Sequence, residues 1–505
     1  MLSKIFSVEK IRKADQYTID HEPISSVDLM ERAARECYIW LAKKAQRNQK
    51  FAVFCGPGNN GGDGLVIARL LEKSGFGVQV FILNLSGRFS SDFQHNLERL
   101  QKTNCKISQW DNTVKEIPEF SSQTIIIDAI FGSGLTKELK GLPQRIVKKL
   151  NELPQIKVAI DIPSGLFSDV STVHSRAIIF QADYTLSFQF PKLAFLMPEN
   201  EAFVGDWQLL NIGLSEEYIQ NTNTPYFYLN SAFVASIIKP RSKFSHKGSF
   251  GHVLMIAGDD SKMGAAILSG KAALKVGAGL VTLHHPNSAK SMVPLVVPEL
   301  MSSLDKSEEA FTQLPDLAKY SHIAIGPGLG TRSQTAKALK LLIQQWGIPL
   351  VIDADALNIL AENKTWLNFL PKGSILTPHI GEFSRLVGKT KNNFERLEKA
   401  IDFAEKYGIY LIIKGAHTFI ATPTRKVFFN SSGNSGMATG GSGDVLTGMI
   451  IGLLAQNYKP IDAAILGVYL HGLSGDIAAE NNGKESLIAG DIINHIGKAY
   501  QRIKE

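Results

Sequence analysis

Asn434-Ser-Gly-Met-Ala-Thr-Gly-Gly-Ser-Gly-Asp-Val-Leu-Thr-Gly448 carries the clearest local signal in the chain. Glycines at 440, 441 and 443 permit positive φ and let successive backbone N–H groups converge on one point. Asp444 then opens an apolar segment, 445–455, whose length and good helix formers predict a buried helix. A glycine-rich turn feeding a helix N-terminus is an anion site, because unpaired N–H groups and the helix dipole both favour negative charge. A carboxylate at that point repels a bound phosphate unless it has chemical work to do. The work that fits is that of a base, taking the proton from a hydroxyl as it attacks a phosphoryl group held by the loop. The plainer alternative is an N-capping aspartate, and the rest of the chain decides between them.

The length of 505 residues exceeds one ordinary core, so two or more domains are expected. An apolar share of 44% against 20% charged residues excludes a disordered chain and fits a globular one. The net charge of +7 is not gathered into a basic run. The densest stretch, K-P-R-S-K-F-S-H-K at 239–247, reads as a solvated linker, and no nucleic-acid partner is expected. Cys37, Cys55 and Cys105 are odd in number and lack metal-ligand spacing, which fits free thiols in a reducing, cytoplasmic setting. The first residues mix charges without a signal-peptide core, and the longest apolar run, near 449–455, is too short to span a bilayer. No membrane association is expected, and a homo-oligomer is the expected assembly.

The first half reads as an α/β domain. Residues 7–46 carry helical spacing, and 51–55 form a short apolar strand running into G-P-G-N-N-G-G-D-G at 56–64. Gly56, Gly58 and Gly61 satisfy G-x-G-x-x-G, so a dinucleotide fingerprint is one reading. That fingerprint requires an acidic residue at the end of the second strand, and strand 77–83 ends instead in Asn84-Leu85. A redox site therefore recedes. Asn59, Asn60 and Asp63 offer oxygens suited to a hydroxylated substrate or a monovalent cation. Two further strand ends repeat the pattern, at Asp128-Ala-Ile-Phe-Gly-Ser-Gly134 and at Asp161-Ile-Pro-Ser-Gly165. Ligands in open α/β sheets bind beyond the carboxyl ends of the strands, and three such ends predict one crevice. Any one of them alone is equally a turn.

These segments, with L-M-E-R-A at 29–33, resemble the N-terminal epimerase domain of the bifunctional NAD(P)H-hydrate repair enzymes over roughly residues 1–213. The resemblance implies a Rossmann-like parallel-sheet domain. It implies that Asn59, Asn60, Gly61, Gly62 and Asp63, the segment Gly132, Ser133, Gly134, Leu135, Thr136, Lys137 and Glu138, and Asp161 contact the hydrated nicotinamide nucleotide. It also implies that Asn60, Asp128 and Ser164 hold K+. Epimerisation at the carbon bearing the hydroxyl needs proton transfer to and from that hydroxyl or its ring-opened form. Asp161 is the first candidate for that acid/base role and Asp63 the second.

Between 211 and 233 the strand–helix alternation lapses, which places a boundary near 213–225. Beyond it, strands ending in Gly326-Pro-Gly-Leu-Gly330, Asp353-Ala-Asp-Ala-Leu-Asn358, Thr377-Pro-His-Ile-Gly-Glu382 and Lys414-Gly-Ala-His-Thr418 alternate with helices. That rhythm predicts a mostly parallel, doubly covered sheet. Glu382 either holds Mg2+ through water or caps the following helix. The set of motifs, together with K-G-S-F-G-H at 247–252, M-G-A at 263–265 and G-G-S-G-D at 440–444, resembles the ribokinase-like dehydratase domain of the same family over 225–505. Carried over, Lys414, Gly415, Ala416, His417, Thr418 and Gly443 bind the adenine nucleotide. Ala265, Gly328, His379 and Asp444 face the hydrated nicotinamide nucleotide. A departure is Ala266, where relatives often carry a proline.

The implied chemistry is repair of hydrated NADH and NADPH (NADHX and NADPHX). The first domain interconverts the two epimers. In the second, Asp444 deprotonates the hydroxyl of one epimer, ADP phosphorylates it, and phosphate leaves to restore the ring double bond, with Mg2+ on the nucleotide. The residues themselves do not separate a dehydratase from a ribokinase-like small-molecule kinase with a regulatory N-terminal domain. A third alternative, a non-catalytic nucleotide scaffold, has little need of Asp444.

Overall fold

The computed structural model describes residues 2–85, 87–114, 116–172 and 177–504. It divides into two compact units, one of Lys4–Thr224 with Asn392–Phe394, the other of Met1–Ser3, Pro225–Lys391 and Glu395–Glu505.

In the first unit the helical stretch at the N-terminus is two helices, α1 (Val8–His21) and α2 (Ser26–Lys44), interrupted at Pro23. Ser25 caps α2 by accepting from Asp28 N–H. The sheet is built from β1 (Lys50–Cys55), β2 (Gly77–Leu83), β3 (Lys106–Trp110), β4 (Thr124–Ala129), β5 (Lys157–Ile160), β6 (Tyr184–Phe188) and β7 (Asp206–Leu210). Its order is β3-β2-β1-β4-β5-β6-β7, every pair parallel. The order reverses beside β1, so β1 and β4 diverge at a switch point where ligands are expected. Strand β1 is buried on both faces: Phe51, Val53 and Cys55 pack under α2, α3 (Asn59–Lys73) and α4 (Ser91–Gln101), while Ala52 and Phe54 meet Trp110 and the Leu142 and Ile146 side chains of α5 (Leu142–Asn151). The unit continues past Gly213. Leu214 is buried, and Tyr218 on the short helix Glu216–Asn221 packs with Phe6.

The second unit carries β8 (Tyr226–Tyr228), β9 (His252–Ile256), β10 (Leu280–His285), β11 (Met301–Leu304), β12 (His322–Ile325), β13 (Leu350–Ile352), β14 (Ile375–Leu376), β15 (Tyr410–Ile413), β16 (Phe419–Ala421) and β17 (Val427–Phe429). They lie in the order β8-β17-β16-β15-β14-β13-β12-β9-β10-β11, antiparallel only at β15–β16 and β16–β17. The region 211–233, read as irregular, thus holds a helix and a strand, β8, that pairs with β17. Short length and Asn/Thr-rich surroundings hid both. Helices α6 (Met263–Val276) and α10 (Ser442–Ala455) cover one face; α7 (Ser333–Gln345), α8 (Ala354–Glu362) and α9 (Ile380–Val387) cover the other. The expected buried helix is α10, apolar all round because it lies between α6 and the sheet. Its glycines allow that approach: a Cβ on Gly448 would lie 2.0 Å from Ser269 O. Among the described residues no helix is long and apolar enough to cross a membrane.

Candidate active sites

In the first unit, α3 begins at Asn59, so residues 59–64 form its opening turns and not a free loop. The glycines around them permit close backbone packing. A Cβ on Gly56 would lie 1.9 Å from Ile130 O, and one on Gly61 would lie 1.8 Å from Gly56 O. Packing therefore accounts for those members of the G-x-G-x-x-G pattern, while Gly58 has open space beside it. Gly61 and Gly62, expected to contact the substrate, do not line the cavity: Gly61 packs on Gly56 and Gly62 against the Met30 side chain.

Asn59, Asn60 and Asp63 line a cavity of about 690 Å³ together with Gly132, Ser133, Gly134, Leu135, Thr136, Lys137 and Asp161. Glu138 does not reach it; it lines a neighbouring hollow with Asn112, Lys140 and Pro143. Asp161 follows β5 with φ 65°, a left-handed conformation sparsely populated by aspartate, fixed by its N–H donating to Leu186 O at 2.7 Å. One carboxylate oxygen sits 2.7 Å from Lys192 Nζ, and the other accepts from Ser133 N–H at 2.8 Å. Lys192 is wholly buried and also donates to Ser187 Oγ at 2.9 Å. Burial alone would raise the Asp161 carboxyl; the Lys192 ammonium and the Ser133 N–H more than offset it and hold the group below the usual carboxylate range. Asp63 is the reverse case, pushed well up by burial and then by the charges of Asp161, Asp15 and Asp92.

Asp128 and Ser164 lie behind this cavity. Asp128 accepts from Ser164 Oγ at 2.7 Å, Ser164 N at 2.8 Å and Ile130 N at 3.1 Å, and burial pushes it up to about 6 despite those bonds. Among the described residues, both amide atoms of Asn60 are buried without a partner. Among the described residues no cluster of three or more His, Cys, Asp or Glu is arranged to hold a metal. A cation here would be held by carboxylate, hydroxyl and amide oxygens, a donor set suited to K+, and the orphaned Asn60 oxygen is the kind of group such an ion satisfies.

In the second unit, Gly441 alone of the three glycines takes a positive φ, 90°, as the N-cap of α10. Ser442, Gly443 and Asp444 are the first three helical residues, so Asp444 stands inside the first turn. A Cβ on Gly443 would lie 3.2 Å from Lys414 Nζ. Lys414 pairs with buried Asp353 at 2.9 Å, whose second oxygen accepts from Thr447 Oγ1 at 2.7 Å. Asp444 is pushed up to about 7, by burial first, then by Asp353, with Lys414 opposing. Asp355 accepts from Gly330 N–H at 2.9 Å and lies 3.3 Å from Lys262. Gly328 has φ 61°, and a Cβ there would lie 3.2 Å from that of Ala265, so these two predicted contacts are neighbours.

His379 and Glu382 form a reciprocal cap on α9. The His379 ring accepts from Gly381 N–H at 2.9 Å, and Glu382 Oε2 accepts from His379 N–H at 2.8 Å. Of the two readings of Glu382, the cap is the one seen. Lys414 leads the turn between β15 and β16, where Thr418 Oγ1 accepts from Gly415 N–H at 3.2 Å and donates to Gly415 O at 2.9 Å. Ala416 lies within that turn, and His417 shares a 3.2 Å hydrogen bond with Asn430 O.

Sequence reasoning missed Asp15 and Lys192 in the first cavity, and Thr447 and His471 in the second site. His471 Nε2 lies 2.9 Å from Ser442 O, and burial lowers the ring to about 4. Lys192 did leave a signal: it is a lone charge within Phe188–Leu196, a stretch otherwise apolar except for Gln189. Asp15 sits among the ordinary surface charges of an amphipathic helix and left none.

Residues 253–498 match the family model described as NAD(P)H-hydrate dehydratase, and residues 26–194 match that of the YjeF-related protein N-terminus. The bifunctional NAD(P)H-hydrate repair enzyme of Moorella thermoacetica is 35% identical over 517 residues, covering 99% of this chain and 97% of the relative. The chain belongs to the bifunctional NAD(P)H-hydrate repair enzymes. The Coxiella burnetii member is 34% identical over 500 residues, covering 98% of this chain and 99% of the relative. A ribokinase-like superfamily protein of Enterococcus faecalis superposes with TM-score 0.50 at 28% identity, over 56% of this chain and 99% of its own. The second unit is thus ribokinase-like, and the repair family's function, epimerisation and nucleotide-dependent dehydration of hydrated NAD(P)H in one chain, is that of this protein. Asp353, Lys414 and Asp444 fall inside the dehydratase match; Asp161 and Lys192 fall inside the N-terminal match, which begins after Asp15.

Proposed function

We propose that Asp444 is the general base of dehydration, that Asp161 is the base of epimerisation, and that ADP is the phosphoryl donor. The dehydratase match occupies 253–498, so the second activity falls to the other unit, which has its own cavity and acid/base groups. The observation that carries the dehydratase reading is Asp444 itself, a carboxyl raised to about 7 inside the first turn of a helix. Such a group is part-ionised near neutrality, where a base is most effective. It takes the proton of the substrate hydroxyl, whose oxygen then attacks the terminal phosphoryl of ADP. AMP departs, and loss of phosphate from the substrate carbon, with a proton from the adjacent ring carbon, regenerates the ring double bond. Lys414, Gly415, Ala416, His417, Thr418 and Gly443 bind the nucleotide, with Asp353 and Thr447 fixing the ammonium. Ala265, Gly328 and His379 line the substrate side.

Mg2+ would supply positive charge to the phosphates. The nearby carboxylates are engaged, Asp353 by Lys414, Asp355 by Lys262 and Glu382 by its cap, so the ion would be held through water and the nucleotide. K+ would be held by oxygens of Asn60, Asp128 and Ser164 and would satisfy the Asn60 amide oxygen. In the first cavity Lys192 keeps Asp161 ionised, ready to accept the hydroxyl proton; Asn59, Asn60, Asp63 and Gly132–Lys137 bind the substrate. A cytoplasmic setting, in keeping with three free cysteines, and a homo-oligomeric assembly complete the reading.

The test is a pair of variants on the full chain. Asp161→Asn is expected to stop epimer interconversion, followed by chiral separation, while ADP-dependent dehydration of the preferred epimer continues. Asp444→Asn is expected to do the opposite. Loss of both activities in either variant, or of neither, refutes the division.

A further inference from the structure

Asp15 belongs to no motif and lies outside the matched residues. It stands on α1 and lines the same cavity as Asp161. The two carboxyls have contrasting surroundings. Asp161 has Lys192 and the Ser133 N–H. The Asp15 carboxyl makes no hydrogen bond or ion pair among the described residues, although it is half-buried and close enough to Asp161 to feel its charge. Burial, and then Asp161, push it up to about 7, with Lys192 opposing. Two titratable groups in one cavity with environments that drive them apart are the arrangement of a proton donor facing a proton acceptor. Asp63 is the competitor, but it lies on the cavity floor at 8% exposure, where Asp15 is more open to a ligand.

Resting on the assignment of epimerisation to this cavity, we propose that Asp15 is a catalytic residue, the proton donor that works with Asp161 in a ring-opening epimerisation. The substrate carbon bears a hydroxyl and is bonded to the ring nitrogen. Asp161 removes the hydroxyl proton and the C–O bond becomes C=O. The bond from that carbon to nitrogen breaks, its electron pair passes to nitrogen, and Asp15 delivers a proton there. Rotation about the adjoining carbon–carbon bond presents the other face of the aldehyde. The reverse transfers then close the ring: nitrogen attacks, its proton returns to Asp15, and Asp161 returns the other to oxygen. No oxidant or external group is required, and both carboxyls end as they began.

The experiment uses the full chain with Asp15→Asn and Asp15→Glu, one purified epimer of hydrated NADH, and no ADP, followed by chiral separation above the spontaneous background. Asp15→Asn is expected to lose about 10²-fold or more in epimerisation rate. ADP-dependent dehydration of the preferred epimer should stay unchanged, which reports that the chain is folded. Asp15→Glu should retain part of the activity. The charged groups about Asp15 are Arg12, Asp63, Asp92, Lys137, Asp161 and Lys192. Because Asp15 donates only when protonated, the wild-type rate should fall as pH rises through about 7. The residual rate of Asp15→Asn should lack that limb. An unchanged rate in Asp15→Asn overturns the assignment, as does a lowered rate that keeps the alkaline limb. Loss of the limb in Asp63→Asn but not Asp15→Asn transfers the role to Asp63 and also overturns it. A wild-type chain that does not epimerise at all removes the cavity's assignment, and this inference with it.

Discussion

Two substitutions of touching residues should move the dehydratase pH profile in opposite directions. Asp353 and Lys414 are 2.9 Å apart, and both act on Asp444, the former raising its carboxyl and the latter lowering it. A base works ionised, and a group raised to about 7 loses its ionised form as pH falls through that value. The wild-type rate should therefore be flat above pH ~8 and fall about tenfold per unit below pH ~6, the dependence of a single titrating group. Lys414→Met removes the cation and leaves the Asp353 charge unpaired, so the midpoint should move up by roughly one unit. Asp353→Asn removes the like charge and frees the ammonium, so the midpoint should move down by a similar amount, a typical shift for a neighbouring charge within a few ångströms. The assay is recovery of reduced-nicotinamide absorbance from the preferred epimer at saturating ADP and Mg2+, at closely spaced pH values. A purely structural defect lowers the rate at every pH and leaves the midpoint fixed. Midpoints that stay within a few tenths of wild type in both variants would refute the role of Asp444 as the titrating base.

Three further outcomes are expected. Gly61→Ala should destabilise the first unit by about 3 kcal/mol or more, since a Cβ there would lie 1.8 Å from Gly56 O, whereas Gly58→Ala, in open space, should shift unfolding little; thermal unfolding of each variant decides. A fragment ending at Thr224 should epimerise without ADP, and one ending at Gly213 should be markedly less stable, because it lacks buried Leu214, Tyr218 and the 2.9 Å bond from Ser215 N–H to Thr18; equal denaturation midpoints would contradict this. Thr447→Val should weaken nucleotide binding more than it lowers the plateau rate, since Thr447 reaches Lys414 only through Asp353, and steady-state kinetics separates the two effects.

What the sequence disclosed follows from where glycines and acids gather. Glycine-rich and acidic strand ends were legible because they recur at the same point of each β–α unit, and the apolar run of 445–455 was legible as a buried helix. The role of the individual glycines was not. Gly56 and Gly61 look like ligand-binding residues and are sites of close backbone approach, a distinction that depends on the Ile130 carbonyl just past β4 and on that of Gly56 itself. The second strand end fared similarly: Asp128 lies inside β4 and is tied up by Ser164, so its turn-like sequence misreads its position. Asp15 was invisible because α1 looks like any amphipathic surface helix; only tertiary packing turns one of its acids into a cavity. Glu382 was readable only as either a magnesium residue or a helix cap, and it takes the folded chain to show it capping α9 together with His379.

The most direct test of the whole account is to supply an epimeric mixture of hydrated NADH with ADP and Mg2+ to the full chain and follow reduced nicotinamide, AMP and phosphate together. Complete recovery of reduced nicotinamide, with one AMP and one phosphate per turnover, is the predicted result. Accumulation of a stable phosphorylated product without return of the reduced ring would contradict it and make the second unit a kinase.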